Sequence, residues 1–143
     1  MILFPPQVFI SQLRRGNVIR FSHPEFPGKP HYFIVLNINP LKDGFLLLLT
    51  STTNTERVKS VIDRQRHLER GYIFVKSGES QCFDRDCYIN CHKAYSFEIG
   101  KLRKRYGRGL VELKGSLPQG LTDKVLKGCS DSPMFKPKYA KFI

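Results

Sequence analysis

The sequence predicts a mainly β, α+β domain, a small and strongly bent antiparallel sheet or barrel with a C-terminal helix. Three observations carry this. Short apolar stretches recur between clusters of Gly, Pro and Asn, the signature of strands and turns. Strands and helices do not alternate at βαβ spacing, which argues against a parallel sheet. A helical pattern follows the last strand, from Pro118 to about Cys129.

The elements follow in order. Residues 5–14 suit a short helix: Pro5 or Pro6 fits a first turn, Val8, Phe9 and Leu13 form a partial stripe, and Gly16 ends it. Asn17 to Phe21 alternates as a strand does. Residues 22–30 hold three Pro and one Gly and read as a loop. His31 to Asn39 is aromatic and β-branched, a second strand; 39–44 is a turn; Phe45 to Thr50 is a buried third strand. Residues 55–70 fit a helix capped by Asn54 or Thr55, with Val58, Val61, Ile62 and Leu68 on one face and Gly71 after it. Tyr72 to Lys76 and Tyr88 to Phe97 read as strands separated by a loop over 78–86. Residues 101–109 read as a basic, turn-like connection, Leu110 to Leu113 as a short strand, and the tail from Ser130 as loosely held.

Composition bounds the function. The apolar set is 41% of the chain before glycine is added, an ordinary globular value that excludes a disordered chain. At 143 residues the chain suits a single domain, 1–143. Net charge is +12, with Lys and Arg at twice the number of Asp and Glu, so a polyanion is the expected partner. The longest apolar run, Phe45 to Leu49, is far short of the roughly 20 residues that span a bilayer. Residues 1–4 lack the basic flank of an export signal, so a reducing cytoplasm and free thiols are expected for the four Cys. Cys87 and Cys91 stand four apart on one strand face, which suits packing better than a zinc site.

Two places could hold a phosphate. The turn Gly28-Lys29-Pro30-His31 opens strand two, and strand three ends in Thr50-Ser51-Thr52-Thr53. If these strands pair as a hairpin, Lys29 faces a hydroxyl cluster that includes Thr50 and Ser51. The structural alternative is a loop tip beside a helix N-cap. The second place is the run Arg103, Lys104 and Arg105, a candidate phosphate strip with Tyr106 available to stack on a base. Its alternative is a solvated loop.

The order of motifs resembles the PemK/MazF toxin family. Gly16-Asn17-Val18-Ile19, then Gly28-Lys29-Pro30 entering Phe33-Ile34-Val35-Leu36, then Leu49-Thr50-Ser51 follow the family's pattern. Phe83-Asp84-Arg85-Asp86-Cys87-Tyr88-Ile89-Asn90-Cys91 and Ala94-Tyr95-Ser96-Phe97 resemble its later segments, and Gly115 to Cys129 its closing helix. The resemblance covers about 16–129 and leaves 1–13 as an extension and 130–143 as a basic tail. It implies an SH3-like β-barrel and a homodimer. It further implies a metal-independent endoribonuclease without cofactor, acting on single-stranded RNA, with an acidic antitoxin as partner. In the family, 2′-hydroxyl attack leaves a 2′,3′-cyclic phosphate.

That chemistry needs a base, donors for the charged phosphorane and an acid for the leaving oxygen. The resemblance puts the family Arg on Lys29 and its Thr on Thr50, with Ser51 beside it; Asn90 and His92 fall where some members carry Arg and Asp. Lys29, Thr50 and His92 are the expected catalytic residues; Ser51, His31, Asn90, His23, Arg103, Lys104 and Arg105 are expected to bind substrate. Lys29 keeps the charge and loses the bidentate fork. Two other readings stand beside the ribonuclease: a non-catalytic nucleic-acid binder on the same barrel, and a growth inhibitor with a protein target.

Overall fold

The structure, a computed structural model, describes residues 4–143. Residues 1–3, part of the expected N-terminal extension, lie outside the described residues. The elements are α1 (Pro6–Gln12), β1 (Asn17–Phe21), β2 (His31–Val35), α2 (Pro40–Asp43), β3 (Phe45–Thr52), α3 (Thr55–Arg64), a 3-10 helix (Arg66–Gly71), β4 (Tyr72–Val75), β5 (Cys87–Glu98), α4 (Ile99–Gly107), β6 (Glu112–Ser116), α5 (Gln119–Asp131) and a second 3-10 helix (Pro137–Phe142).

The six strands form one curled antiparallel sheet in the order β4-β5-β3-β2-β1-β6, the bent sheet that the sequence predicts. The central strand explains the apolar run. Leu47 and Leu49 face one core, under α5, with Val18, Ile34, Ile89, Cys91, Leu121 and Val125. Leu46 and Leu48 face the other, under α1 and α4, with Phe9, Leu13, Phe21, Phe33, Phe97 and Leu102. A strand buried on both faces has no polar positions to alternate with.

The β2–β3 connection is fixed by a buried amide. Asn37 Nδ2 donates to Phe45 O (2.7 Å) and Asp43 Oδ2 (3.0 Å), and Asn37 Oδ1 accepts from Leu47 N–H (3.1 Å). Every polar atom of the buried side chain is used, so its burial costs little.

Three sequence expectations change. Residues 101–109 lie mostly in α4, because Ile99, Leu102 and Tyr106 form an apolar stripe at helical spacing and dock on α1; Tyr106 stacks flat on Phe9, ring centroids 4.0 Å apart. The helix expected over 55–70 breaks at Gln65 into α3 and the 3-10 turn. The tail is held: Phe142 packs edge-on to Phe45 at 4.9 Å, its carbonyl accepts from Arg15 Nη2 (3.2 Å), and Phe135, Tyr139 and Ile143 border the first core. The expected thiols are present, all four buried, and burial pushes Cys87 up to about 12.

Gly71 ends the 3-10 turn where the His92 ring crosses it, and a Cβ there would run into that ring. Gly71→Ala is therefore expected to cost about 1–3 kcal/mol by overpacking, read as a lower midpoint in urea unfolding.

Candidate functional site

The site grows out of a break in register. From Phe45 to Leu49 β3 pairs with β5 residue for residue, but one step from Leu49 to Thr50 matches four on β5, from Ala94 to Asn90. Cys91, His92 and Lys93 stand out of the ladder as a bulge, a device that re-aims side chains. Beyond it β3 leaves the cores, and Thr50, Ser51 and Thr52 are all half-exposed.

The three hydroxyls have different work. Thr52 Oγ1 accepts from Asn54 N–H (3.1 Å), and Asn54 Oδ1 caps α3 by accepting from Arg57 N–H (3.2 Å). The N-cap is therefore Asn54, and Thr52 braces that cap from the strand end. Ser51 Oγ makes a long contact to Tyr32 O (3.5 Å), on the side of the first core. The Thr50 hydroxyl makes no hydrogen bond among the described residues.

Cross-strand partners share a face, so the register draws the surface around Thr50. Thr50 pairs with Phe33 on one side and Asn90 on the other, and Asn90 pairs with Tyr72. One step on, Thr52 pairs with Tyr88, and Tyr88 with Phe74. His31 precedes Phe33 by two residues and lies on the same face, half-exposed. Lys29 is exposed in the loop, four residues from Phe33, a stretch of at most about 13 Å. His31, Thr50 and Asn90 thus lie along one end of one sheet face, and Lys29 lies in the loop that leads into it. Two concavities, of about 430 and 420 Å³, lie along the C-terminal tail instead. The Thr50 site is an open surface.

The loop before β2 is braced from beneath. Gly28 has φ +101, a left-handed turn that glycine adopts without strain, and it sets Lys29 beside Pro30. His23 is buried among Phe21, Phe26, Phe33, Tyr95 and Phe97, and its Nδ1 accepts from Glu25 N–H (3.1 Å). Its Nε2 has no partner among the described residues. Burial pushes the His23 pKa down, against weaker opposing effects of the Ser96 backbone and Glu25. Arg105 donates to Ser22 O and lies over the Phe97 ring at 5.0 Å.

His23 and Arg105, both expected at the substrate, therefore hold the loop. Arg103 and Lys104 are exposed on α4. Tyr106, stacked on Phe9, is not free to stack on a base.

His92 is the main correction. It is 3% exposed, with Nε2 2.7 Å from Leu68 O and Nδ1 2.5 Å from Ser132 Oγ. A carbonyl only accepts, so Nε2 carries the proton and Nδ1 accepts from Ser132. Both nitrogens are spent, and Tyr72 meets the ring edge-on at 4.8 Å. His92 is no acid or base for a substrate; it ties the β5 bulge to the 3-10 turn and the end of α5. Asn90 Oδ1 accepts from His92 N–H (2.9 Å), which fixes Asn90 and leaves its Nδ2 as the donor end. Sequence reasoning missed the aromatic set Tyr72, Phe74 and Tyr88. Its signal was the i, i+2 pair Tyr72 and Phe74 on one strand face.

The fold matches solved structures from Deinococcus radiodurans. The Form-III crystal structure of MazE–MazF superposes with a TM-score of 0.55 at 10% identity, over 82% of this chain and 92% of the matched one. The Form-II structure gives 0.54 at 10% identity, over 82% and 91%. The likeness shows that this chain has a MazF-like fold. No protein-family model matches the sequence, and no curated protein does.

Burial lowers the His92 pKa below its ordinary 6.5, with His67 adding to the effect and the Leu68 carbonyl opposing it. The unfolded chain then binds protons that the folded chain refuses. Stability is full above pH 6.5 and is lost as pH falls through that value towards the lower folded pKa. Thermal unfolding followed by circular dichroism is expected to show this acid loss. His92→Gln should be less stable at neutral pH and should depend less steeply on pH in that window.

Proposed function

We propose that this chain is the toxin of a type II toxin–antitoxin pair, a cytoplasmic homodimer. In this reading it cuts single-stranded RNA without a metal and leaves a 2′,3′-cyclic phosphate. The observation that carries the reading is the placement of Thr50. The β5 bulge frees it from both cores, at the end of the β2–β3 pair that leads to Lys29, on a chain of net charge +12. The MazF-like fold supports it, and the matched structures are complexes with MazE, which supports an acidic antitoxin as the second partner.

In this reading Lys29 neutralises the scissile phosphate and the charge that builds on the phosphorane. The Thr50 hydroxyl and Asn90 Nδ2 donate to its oxygens. His31, the half-exposed histidine on this face, moves the proton, in place of His92. Lys29 is a point charge without a planar fork, so orientation of the phosphate falls to Thr50 and Asn90. Ser51 and Thr52, busy with Tyr32 and Asn54, shape the edge.

The non-catalytic binder is the second reading, favoured by the burial of His92 and the loss of one acid–base group from the surface. Cleavage separates the two. Purified protein is expected to cut single-stranded RNA in EDTA, with 2′,3′-cyclic phosphate ends. Lys29→Ala and Thr50→Val should each lower the rate by about a hundredfold or more, with unchanged circular dichroism. Salt-sensitive binding without cleavage establishes the binder instead. Growth inhibition by Lys29→Ala with cellular RNA intact points to a protein target.

A further inference from the structure

We propose that Tyr72, Phe74 and Tyr88 form a base-stacking platform that holds nucleotides of a single-stranded RNA flanking the phosphate at Thr50. This deepens the ribonuclease reading and rests on it.

The register places the platform. Tyr72 is two strands from Thr50 through Asn90, and Phe74 is two strands from Thr52 through Tyr88. At the usual strand spacing that is about 10 Å, within reach of a neighbouring nucleotide. The rings are arranged for adding another ring. Phe74 and Tyr88 are tilted at 5.2 Å, and Tyr72 meets Tyr88 edge-on at 6.5 Å. Beneath, His92 meets Tyr72 edge-on, so that ring is fixed from the core side. Phe74 is 43% exposed on an edge strand, a large apolar ring that the fold itself leaves half in water.

The surroundings favour nucleic acid over an apolar protein partner. The same two rows carry Thr50, Asn90 and Thr52, which are polar and uncharged. Arg57, in the first turn of α3, is exposed and acts electrostatically on Tyr72. It has no carboxylate partner among the described residues. Aromatic rings beside cations bind single strands with little sequence demand, because every base has a π-face.

The chain has no Trp, so Phe74→Trp places a single indole fluorophore on the platform. The probe is a short fluorescein-labelled single-stranded RNA of mixed sequence for anisotropy, and the unlabelled RNA for fluorescence. Phe74→Ala and Phe74→Leu are expected to weaken binding roughly tenfold and to raise KM with kcat nearly kept. Phe74→Trp should bind as well as the natural chain, and its emission should be quenched by RNA.

Wild-type affinity in Phe74→Ala and Phe74→Leu, with unquenched indole emission in the RNA-bound Phe74→Trp protein, overturns the platform and leaves the ribonuclease reading standing. Quenching by an acidic polypeptide and not by RNA makes this a protein-docking face and overturns the proposal. A natural chain that neither binds nor cuts the RNA overturns both.

Discussion

The fold turns on the bulge that ends the pairing of Leu49 with Ala94. Up to that point β3 is sealed on both faces, and no polar chemistry can reach it. Three residues of β5 then leave the ladder, and a buried histidine holds them out. His92 reaches two separate elements, the Leu68 carbonyl and the Ser132 hydroxyl, and its ring fills the space over Gly71. The imidazole is a fastener. Its backbone N–H fixes Asn90, the residue that stands beside Thr50. The chemistry proposed at the surface therefore depends on a neutral ring inside.

Much of the fold was legible. The run Phe45 to Thr50 reads as a buried strand, and the prolines and glycine of 22–30 read as a loop. The cap at Asn54 was readable from its neighbours. What was not legible has physical causes. Alternation over Cys87 to Phe97 is kept on both sides of the bulge, and no residue type marks the three that drop out. The cations of 101–108 masked the i, i+3, i+7 stripe of Ile99, Leu102 and Tyr106 that makes α4. In the tail, prolines and lysines suggested looseness, while Phe135, Tyr139 and Phe142 supplied anchors whose partners lie far away in sequence.

The candidate site was legible in part, and its errors share one cause. A titratable side chain looks the same in sequence whether it is sealed or wet. His23, His31 and His92 all lie near the inferred site in the chain. Aromatic rings enclose the first, the fold's own acceptors and donors occupy the third, and of the three only His31 stays partly exposed. Arg105 likewise spends its guanidinium on Ser22 O and the Phe97 ring. Burial decides each case, and burial is a property of tertiary packing.

The charge can now be divided. Six of the 24 Lys and Arg pair with a carboxylate among the described residues, all across exposed or half-exposed contacts of 2.8 to 4.0 Å. Such pairs stabilise little; Arg14, Arg15, Arg64 and Arg105 also donate to backbone carbonyls, so most of the cations are not there to hold the fold. Their self-repulsion costs stability unless a polyanion offsets it. An open surface suits that partner: a flexible single strand brings its own phosphates and bases, and excludes water only where it lies. A pocket would have to enclose one nucleotide. A sheet end with a cation loop on one side and aromatic rings on the other can instead grip a strand along its length, which is what the proposed cleavage within a strand requires.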